Sequence, residues 1–472
     1  MIHRRILTPA APELDFASIR SELEVPGPFP AEVLAAAARA GGPPRLPDHD
    51  ATDLPLVTID PPGSRDLDQA VAIEDRPGGG WRVRYAIADV AAWVAAGDPV
   101  DRSARNRTQT YYAPDERVPL HPPVLGESAA SLLPDGPRPA ALWTIDVAGD
   151  GTTTAVDLRR AMVRSRTQLT YAEVQAALDA DRAPDALRAF PALGSALMAD
   201  GHRRNAIELG LPEQEVALGP DGWWTVLLRA DLAIEAWNAQ VSLLTGRAAA
   251  ALMLDAGVGV LRTLPTPEPK EFPRLQRAAR DLGIDWPDGV HPGTVLASLD
   301  TSRPRHAAFA DLAAELLRGA AYTAFDGPSP ADPGHAGVGA PYAHVTAPLR
   351  RLVDRFATEV CLAVASGSEV PSWAREALPL LPDLMAEGDA RSRKLDRAVV
   401  DATEAFVLAD RVGEVFPAAV VETGERFGTV ALDEPAVRGR CDTRTLPLGA
   451  EIHVRCTEAD VAARTVRFER VS

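Results

Sequence analysis

Cysteine is scarce in this chain of 472 residues, and its spacing excludes two kinds of structural cross-link. The three cysteines are Cys361, Cys441 and Cys456, and no two of them form a Cys-x-x-Cys pair. Such spacing indicates neither a structural zinc site nor a disulfide framework. We therefore expect a reduced protein of the cytoplasm.

Long hydrophobic runs are also absent. No stretch approaches the roughly 20 apolar residues that a membrane-spanning helix requires. The basic residues in the first segment, MIHRRILTPAAPELDF, are not followed by the apolar run of a secretory signal. The sequence therefore predicts a protein that has no membrane partner.

Positive charge and aromatic residues are both in short supply. The formal net charge is −17, and aromatic residues make up only 5% of the chain. An acidic surface repels a polyanion, so the overall charge favours a metabolic enzyme over a nucleic-acid-binding protein. A binding site depends on local charge, however, and clustered basic residues can line a channel inside an acidic shell. The clusters are Arg203 and Arg204, then Arg350, Arg351 and Arg355, then Arg391, Arg393, Lys394 and Arg397.

The length and composition indicate a soluble globular protein of two or three domains. Hydrophobic residues make up 46% of the chain and charged residues 24%, which is typical of a protein with a substantial core. Changes of pattern divide the chain into an N-terminal helical segment (1–50), a main domain (51–410) and a C-terminal barrel (411–472).

Two short helices are expected in the N-terminal segment. The first covers residues 15–24, and the second follows Pro30 and stops at Gly41, because proline favours the first turn of a helix and glycine its end. The helices flank a VPGP turn. They form either a small helix-turn-helix unit or a linker that packs on the main domain, and the sequence leaves both hypotheses open.

The order of the secondary-structure patterns predicts an α+β fold, in which helices surround a mixed or antiparallel sheet. Strands are expected at 56–60, 69–75, 81–90, 141–151 and 154–165. Helices are expected at 171–180, 230–257, 273–283, 348–366 and 383–410. The tail contains short strand patterns separated by turn residues, which predicts a small closed barrel of the OB-fold type.

An acidic cluster lies in the segment TIDPPGSRDLDQA, residues 58–70. Asp60 ends a hydrophobic strand, and Asp66 and Asp68 point the same way if the loop that carries them is extended. Three converging carboxylates repel one another unless a cation neutralises them, and their hard oxygens favour Mg²⁺ or Mn²⁺. Such a cation suits phosphoryl chemistry, because it activates water and holds a phosphate. The alternative is a solvated acidic loop that binds nothing.

The same segment resembles the catalytic signature of the ribonuclease II (RNB) family, Thr-Ile-Asp followed by Asp-x-Asp-Asp-Ala. Further blocks resemble other family segments and occur in the family's order: YAIADVAAWV (85–94), TYYAPDERVPLHPPVLGESAASLLP (110–134), LTYAEVQAALD (169–179) and YAHVTAPLRRLVDR (342–355). The resemblance implies an RNB catalytic domain over residues 51–410, followed by the family's OB-fold RNA-binding domain. It also implies Mg²⁺-dependent, processive hydrolysis of single-stranded RNA from its 3′ end to nucleoside 5′-monophosphates.

The resemblance assigns roles to individual residues. The implied metal ligands are Asp60, Asp66, Asp68 and Gln69. Asp66 and Asp68 are also candidate catalytic residues, together with Arg350, which matches an arginine that grips the scissile phosphate. Pro348 predicts a helix start, which would put Arg350 at a positively polarised helix end suited to phosphate. The candidates for RNA binding are Tyr112, Glu235, Arg350, Arg351 and Asp396, of which Tyr112 matches a tyrosine that packs on the terminal nucleotide.

Gln69 is a departure from the family pattern, because the family usually has Asp at this position. An amide oxygen can coordinate a metal but adds no charge, so we expect a more weakly held second cation. The favoured interpretation is a working exoribonuclease, and the first alternative is an RNA-binding protein with weak or no nuclease activity. A third hypothesis, an acidic enzyme acting on small phosphate esters, leaves the arginine clusters and the barrel unexplained.

The N-terminal segment is a second departure. Typical members of the family carry two cold-shock OB-fold domains before the catalytic domain, whereas residues 1–50 are too few for one such barrel. We therefore expect a short divergent form with a more open RNA channel, which tolerates RNA structure near the 3′ end. The expected partner is single-stranded RNA, and the protein is expected to be a monomer.

Overall fold

The computed structural model describes residues 14–40, 46–219, 222–268, 270, 272–301, 303–424, 426–442 and 446–471. The parts of the predicted N-terminal segment at 1–13 and 41–45, including the expected helix stop at Gly41, lie outside the described residues.

The described chain forms short and long strands in the order β1 to β20. They are Asp50–Ala51, Thr58–Ile59, Gln69–Asp75, Trp81–Ala88, Tyr111–Tyr112, Arg117–Val118, Arg138–Val147, Thr153–Val163, Gln168–Leu169, Glu213–Leu218, Trp224–Arg229, Val258–Thr263, Ala321–Asp326, Gly334–His335, Ala340–Pro341, Val415–Thr423, Gly428–Ala431, Arg438–Cys441, Glu451–Asp460 and Thr465–Val471.

The α-helices of the described ranges are numbered α1 to α12. They are Phe16–Glu22, Ala31–Ala40, Pro99–Arg107, Tyr171–Asp179, Phe190–Arg203, Ala233–Ala256, Phe272–Leu282, Pro292–Ala297, Pro304–Ala313, Leu352–Ser366, Ser372–Ala377 and Leu381–Leu408. None of these helices combines the length and the apolar character that a bilayer-spanning helix needs.

The central sheet has the strand order β1-β8-β7-β4-β3, and its pairs are antiparallel except for β1 and β8. Side chains alternate between its two faces. Tyr85 and Trp143 lie on the face that packs against α6 and α10, whereas Ala86 and Ala140 lie on the face that α2 covers. Because both faces are buried by other elements, the predicted α+β fold with a mixed sheet among helices is confirmed.

The two N-terminal helices pack against different parts of the main domain. Phe16 and Ile19 of α1 are buried against Leu395 of α12, whereas Val33 of α2 joins the alanine-rich face of the sheet. This packing agrees with the hypothesis of a packed linker. The helix-turn-helix hypothesis stays a prediction.

The C-terminal strands form a closed barrel in the order β16-β17-β18-β20-β19, which closes through the pairing of β16 with β19. Phe416, Val430 and Phe468 fill its interior, and Leu408 at the end of α12 packs against them. The predicted barrel of the OB-fold type is therefore confirmed.

Helix α10 begins at Leu352, so the predicted helix start at Pro348 is wrong. The chain before the helix pairs instead with an extended segment that follows α3. The amide of Thr110 donates to the carbonyl oxygen of Arg350 at 3.0 Å, and the amide of Leu352 donates to the carbonyl oxygen of Thr108 at 2.9 Å. Arg350 thus lies in a turn ahead of the helix, because its backbone is held by hydrogen bonding with the segment that follows α3.

A hairpin of β10 and β11 was not predicted from the sequence. Its strands pair in antiparallel register, with Glu213 opposite Arg229 and Leu218 opposite Trp224. The hairpin packs on α12, and Trp224 meets the ring of Phe16 edge-on at 5.3 Å between centroids. It forms one wall of the candidate site.

Candidate active site

The loop that carries the acidic cluster is held by strands at both ends. At its start, the amide of Asp60 donates to the carbonyl oxygen of Leu169, the last residue of β9, at 3.0 Å. At its end, the carbonyl oxygen of Asp68 accepts from the amide of Ala88 at 2.9 Å, which continues the pairing of β3 with β4. Leu67 is fully buried between Asp66 and Asp68, so the two carboxylates flank an anchored residue.

Asp68 is the most deeply buried of the three carboxylates, with a relative exposure of 3%. Its Oδ1 accepts a hydrogen bond from the amide of Leu349 at 2.7 Å, and Nε of Arg350 lies 3.2 Å from its Oδ2. Burial raises the pKa of Asp68 to about 8, although Arg350 acts in the opposite direction. The structure therefore brings together Asp68 and Arg350, two candidate residues that lie 282 positions apart in the sequence.

One carboxylate oxygen of Asp60 has no hydrogen-bond partner among the described residues. This oxygen, Oδ2, is buried. Burial raises the pKa of Asp60 to about 7, Arg350 lowers that pKa, and Asp66 raises it further. A buried carboxylate is stabilised in its charged form by nearby positive charge or by hydrogen bonds to its oxygens.

Asp66 forms an ion pair with Arg117 on β6, a residue that the sequence analysis did not identify. Nη1 of Arg117 binds Oδ1 of Asp66, and its Nη2 lies 2.6 Å from Oε1 of Glu127. The signal in the sequence was weak, since Arg117 is one basic residue inside the 110–134 block. Its pairing with Asp66 depends on how the β5–β6 hairpin packs.

The carboxylates fit a divalent cation by their chemistry. Among the residues that the structure describes, no three Asp, Glu, His or Cys side chains already surround a common metal position. Arg350 contacts Asp68 and Arg117 contacts Asp66, so the arginines partly neutralise the cluster. The unpartnered Oδ2 of Asp60, and the burial that disfavours the charged forms of Asp60 and Asp68, suit a site that gains Mg²⁺ or Mn²⁺. The convergence of all three carboxylates on one cation stays a prediction.

Gln69 is engaged in hydrogen bonds through both amide atoms. Its Nε2 donates to the carbonyl oxygen of Thr346 at 2.6 Å, and its Oε1 accepts from the hydroxyl of Tyr85 at 2.6 Å. That hydroxyl also lies 2.9 Å from Oγ of Ser242. Because a carboxylate cannot donate to a carbonyl, the network gives a reason for glutamine here that involves no metal. The role of Gln69 as a metal ligand stays a prediction.

Arg350 and Arg351 have different surroundings although they are adjacent. The side chain of Arg350 is 46% exposed, whereas Arg351 forms a two-pronged ion pair with buried Asp354, with Nε to Oδ2 and Nη2 to Oδ1 both at 2.9 Å. Asp354 also accepts from the amide of Ala347 at 2.7 Å. Arg351 thereby stabilises the turn that carries Arg350, and its predicted role in RNA binding remains untested.

A cavity of about 650 Å³ opens beside the acidic loop. It is lined by three of the predicted RNA-binding residues, Tyr112, Glu235 and Asp396. Tyr112 is 49% exposed, and Glu235 is held by Nη1 of Arg229 at 2.8 Å and by the amide of Leu232 at 2.8 Å. Pro61, Pro62 and Tyr171 also line the cavity.

A second cavity of about 900 Å³ continues from the first toward the barrel. Gln214, Asp396 and Val400 line both cavities, so the two form one groove between α12, the β10–β11 hairpin and the barrel. The basic residues along the second cavity are Arg393, Arg397, Arg438, Arg440, Arg464 and Arg467. These arginines lie on α12 and on the barrel, and four carboxylates line the same cavity, those of Asp396, Asp401, Glu404 and Glu422. The basic channel stays a prediction.

One predicted basic cluster, and one member of a second, have other surroundings. Arg203 and Arg204 pair with Asp200 near the end of α5. Arg355 is buried with Asp101, and Nη1 lies 2.6 Å from Oδ1. These arginines stabilise the fold away from the groove.

Comparison with known proteins agrees with this architecture. The RNB domain matches residues 48–364, and the RNase II-type exonuclease C-terminal S1 domain matches residues 414–471. Ribonuclease R of Escherichia coli (strain K12) is 28% identical over 475 residues, an alignment that covers 90% of this chain and 57% of that protein. The chain thus spans little more than half the length of this relative.

Two solved structures have the same fold. The apo form of Mycoplasma genitalium RNase R and its complex with ribose methylated single-stranded RNA each superpose with a TM-score of 0.86 at 19% identity, covering 97% of this chain and 77% of that one. Yeast Ssd1, described as a pseudonuclease, superposes with a TM-score of 0.66 at 15% identity, covering 91% of this chain and 53% of that one. With the RNB domain match extending over residues 48–364, the chain belongs to the RNB domain family.

Proposed function

We propose that this chain is a 3′-to-5′ exoribonuclease that hydrolyses single-stranded RNA processively to nucleoside 5′-monophosphates, with Mg²⁺ or Mn²⁺ as cofactor. The observation that carries the proposal is the groove, which runs from the arginines of the barrel to Pro61 and Pro62, in the loop that also carries the acidic cluster. The names of the relatives support it, since the bacterial homologue is called Ribonuclease R and a structurally similar RNase R binds single-stranded RNA.

The groove suits a single strand of RNA. Arginines of the barrel and of α12 attract phosphates through local charge, despite the acidic net charge of the chain. At the inner end, the exposed ring of Tyr112 offers a stacking surface for the terminal base. A strand that occupies both cavities remains bound as its 3′ end is shortened, which favours processive cleavage.

At the reacting end, the residues of this chain position the phosphate. Arg350 precedes the helix α10 in a turn that Arg351 and Asp354 brace, and its guanidinium can stabilise the charge that develops on the scissile phosphate. The amide of Leu349 keeps Asp68 oriented toward Arg350. Asp60, Asp66 and Asp68 would hold the divalent cation, which would supply a water of lowered pKa and positive charge for the phosphate.

An end-labelling experiment tests the proposal. Oligoribonucleotides labelled at the 5′ end or the 3′ end are incubated with Mg²⁺, with Mn²⁺ or with EDTA. We expect the 3′ label to be released as a mononucleotide at once, the 5′ label to persist until the substrate is short, and no cleavage in EDTA. Internal cleavage, or equal cleavage in EDTA, would refute the assignment.

A matched pair of variants links the activity to the site. Asp68→Asn removes a buried carboxylate at the site, whereas Asp75→Asn removes an exposed carboxylate at the other end of β3. We expect Asp68→Asn to lose activity by a factor of about 10² or more and Asp75→Asn to retain it. Equal activity of both variants would place the chemistry elsewhere.

The second candidate is an RNA-binding protein with weak or no nuclease activity. The observation that favours it is Gln69, whose neutral amide contributes no charge to the site and is hydrogen-bonded to Tyr85 and Thr346. The structural similarity to a pseudonuclease makes this candidate worth testing. Tight binding of the oligoribonucleotide without any product, at all metal concentrations, would favour it over the exoribonuclease.

A further inference from the structure

The β5–β6 hairpin carries two residues of the candidate site on one face. Its ladder consists of two residue pairs, Tyr111 with Val118 and Tyr112 with Arg117. Tyr112 lines the inner cavity, and Arg117 binds Asp66. Because so short a ladder is unstable by itself, the position of both side chains depends on what supports the hairpin.

Helix α1 supports the opposite face of the hairpin. Phe16 and Ile19 are 2% and 4% exposed and pack in one cluster with Tyr111 and Val118. The side chain of Asp15 caps the helix by accepting from the amide of Ser18 at 3.0 Å. Strand alternation therefore puts α1 behind the hairpin, while Tyr112 and Arg117 face the site.

Arg20 of α1 also binds the turn of the hairpin. Its Nη1 and Nη2 lie 2.5 and 3.1 Å from the two carboxylate oxygens of Asp115, and Nη2 lies 2.9 Å from Oε2 of Glu116. The side chain of Arg20 is only 11% exposed, so these contacts are partly shielded from water. A two-pronged ion pair restricts the orientation of the turn as well as its distance from the helix.

The same helix contacts the barrel. Glu22, at the last position of α1, pairs with Arg464 in the turn between β19 and β20. Arg464 also lines the outer cavity. Helix α1 therefore contacts the elements at both ends of the groove.

We propose that Arg20 is a positioning residue, which holds the β5–β6 hairpin through Asp115 and Glu116 so that Tyr112 and Arg117 stay at the site. The inference rests on the proposed function, because a role in positioning the site requires that the site be catalytic. Arg20 itself touches no substrate. Helix α1 thereby supports the active site, in addition to packing the N-terminal segment on the main domain.

Hydrogen exchange tests the structural half of the proposal without any assay of activity. Wild type is compared with Arg20→Ala and with the control Glu22→Gln, which removes a more exposed ion pair from the same helix. We expect amides of residues 111–118 to exchange about 5-fold faster in Arg20→Ala and unchanged in Glu22→Gln. Equal exchange of this segment in all three proteins would overturn the proposal.

Kinetics test the functional half. We expect Arg20→Ala to lower kcat about 10-fold on a long oligoribonucleotide while KM changes less than about 2-fold, because the outer groove still holds the strand. The charge-swapped double variant Arg20→Asp, Asp115→Arg should recover most of kcat. A uniform loss of folded protein, with kcat per folded molecule unchanged and no recovery by the swap, would refute a positioning role.

A failure of the proposed function can be distinguished from a failure of the role proposed for Arg20. If wild type cleaves no RNA, the proposed function fails, and the exchange of residues 111–118 still decides whether Arg20 holds the hairpin. Binding then supplies the second measurement, with 2-aminopurine as the 3′-terminal base of the oligoribonucleotide. Stronger fluorescence quenching in wild type than in Arg20→Ala supports the positioning of Tyr112, and equal quenching contradicts it.

Discussion

Replacing Gln69 by Asp would restore the acidic pattern of the RNB signature. The structure predicts that this substitution lowers the free energy of unfolding. The amide of Gln69 joins β3 to the loop before α10, through Thr346, and to β4, through Tyr85. Aspartate is one methylene shorter and has no donor for the carbonyl of Thr346. The substitution therefore breaks the hydrogen bond that links β3 to the loop that carries Arg350.

The magnitude follows from this broken hydrogen bond and from the added charge. Leaving a buried carbonyl unpaired costs about 1–3 kcal/mol. A further carboxylate beside Asp68, whose pKa burial already raises to about 8, adds like-charge repulsion and desolvation. We expect Gln69→Asp to lower the free energy of unfolding by about 2–4 kcal/mol in EDTA.

Urea unfolding in EDTA measures this effect, and Gln69→Asn is the matched control. Asparagine has the length of aspartate but retains an amide donor, so the difference between the two variants isolates the charge and the missing donor. We expect Gln69→Asn to be the more stable of the two. Manganese affinity, measured by calorimetry on the same proteins, then reports whether the carboxylate reaches the metal.

One combination of results would refute this interpretation of Gln69. If Gln69→Asp unfolds at the same urea concentration as wild type, binds Mn²⁺ more tightly and cleaves RNA faster, the side chain belongs to the metal-binding set. The network with Tyr85 and Thr346 would then not explain why glutamine occurs here.

Three further predictions concern the groove and its surroundings. Arg350→Lys keeps the charge but loses the guanidinium geometry, and steady-state kinetics should show kcat reduced by about 10² with little change in the affinity for an oligoribonucleotide. Tyr112→Ala should weaken binding of the 3′-terminal nucleotide by about 1–3 kcal/mol in a fluorescence titration, and Tyr112→Phe should not, because the ring supplies the stacking. Burial raises the pKa of Glu404 from its ordinary 4.5 to about 7, so the folded state holds this proton more tightly than the unfolded state. The associated stability is present below pH 4.5 and is lost as pH rises to about 7. Urea titrations of wild type should therefore show a free energy of unfolding about 2–3 kcal/mol lower at pH 8 than at pH 5, and Glu404→Gln should show a smaller difference.

Some elements could be predicted because their signals are local. Strand β3 occupies the expected residues 69–75, and helix α4 covers all but the last of the expected residues 171–180. In α4 the reason is visible, since Thr170 and Glu173 form a reciprocal capping box at its start. The strands of the barrel were predictable for the same reason, because turn residues separate short alternating runs.

Other features depended on partners distant in sequence. The bond from Arg117 to Asp66 spans 51 positions, and the bond from Gln69 to Thr346 spans 277. Neither residue type nor spacing indicates such a partner, so Arg117 was missed and Gln69 was interpreted only as a ligand. The β10–β11 hairpin was missed as well, since its partly exposed strands show weak alternation.

The amino-acid sequence by itself determined the class of fold, the order of the domains and the acidic loop with its arginine, because periodicity, capping and a family signature are written in neighbouring residues. Tertiary structure alone decided which charges face each other, where α10 starts and which surfaces form the groove. Pairing across long stretches of chain selects one backbone conformation and one set of side-chain partners among many that local preferences allow. For that reason the signature identified the candidate residues of the site, and packing determined how those residues are held.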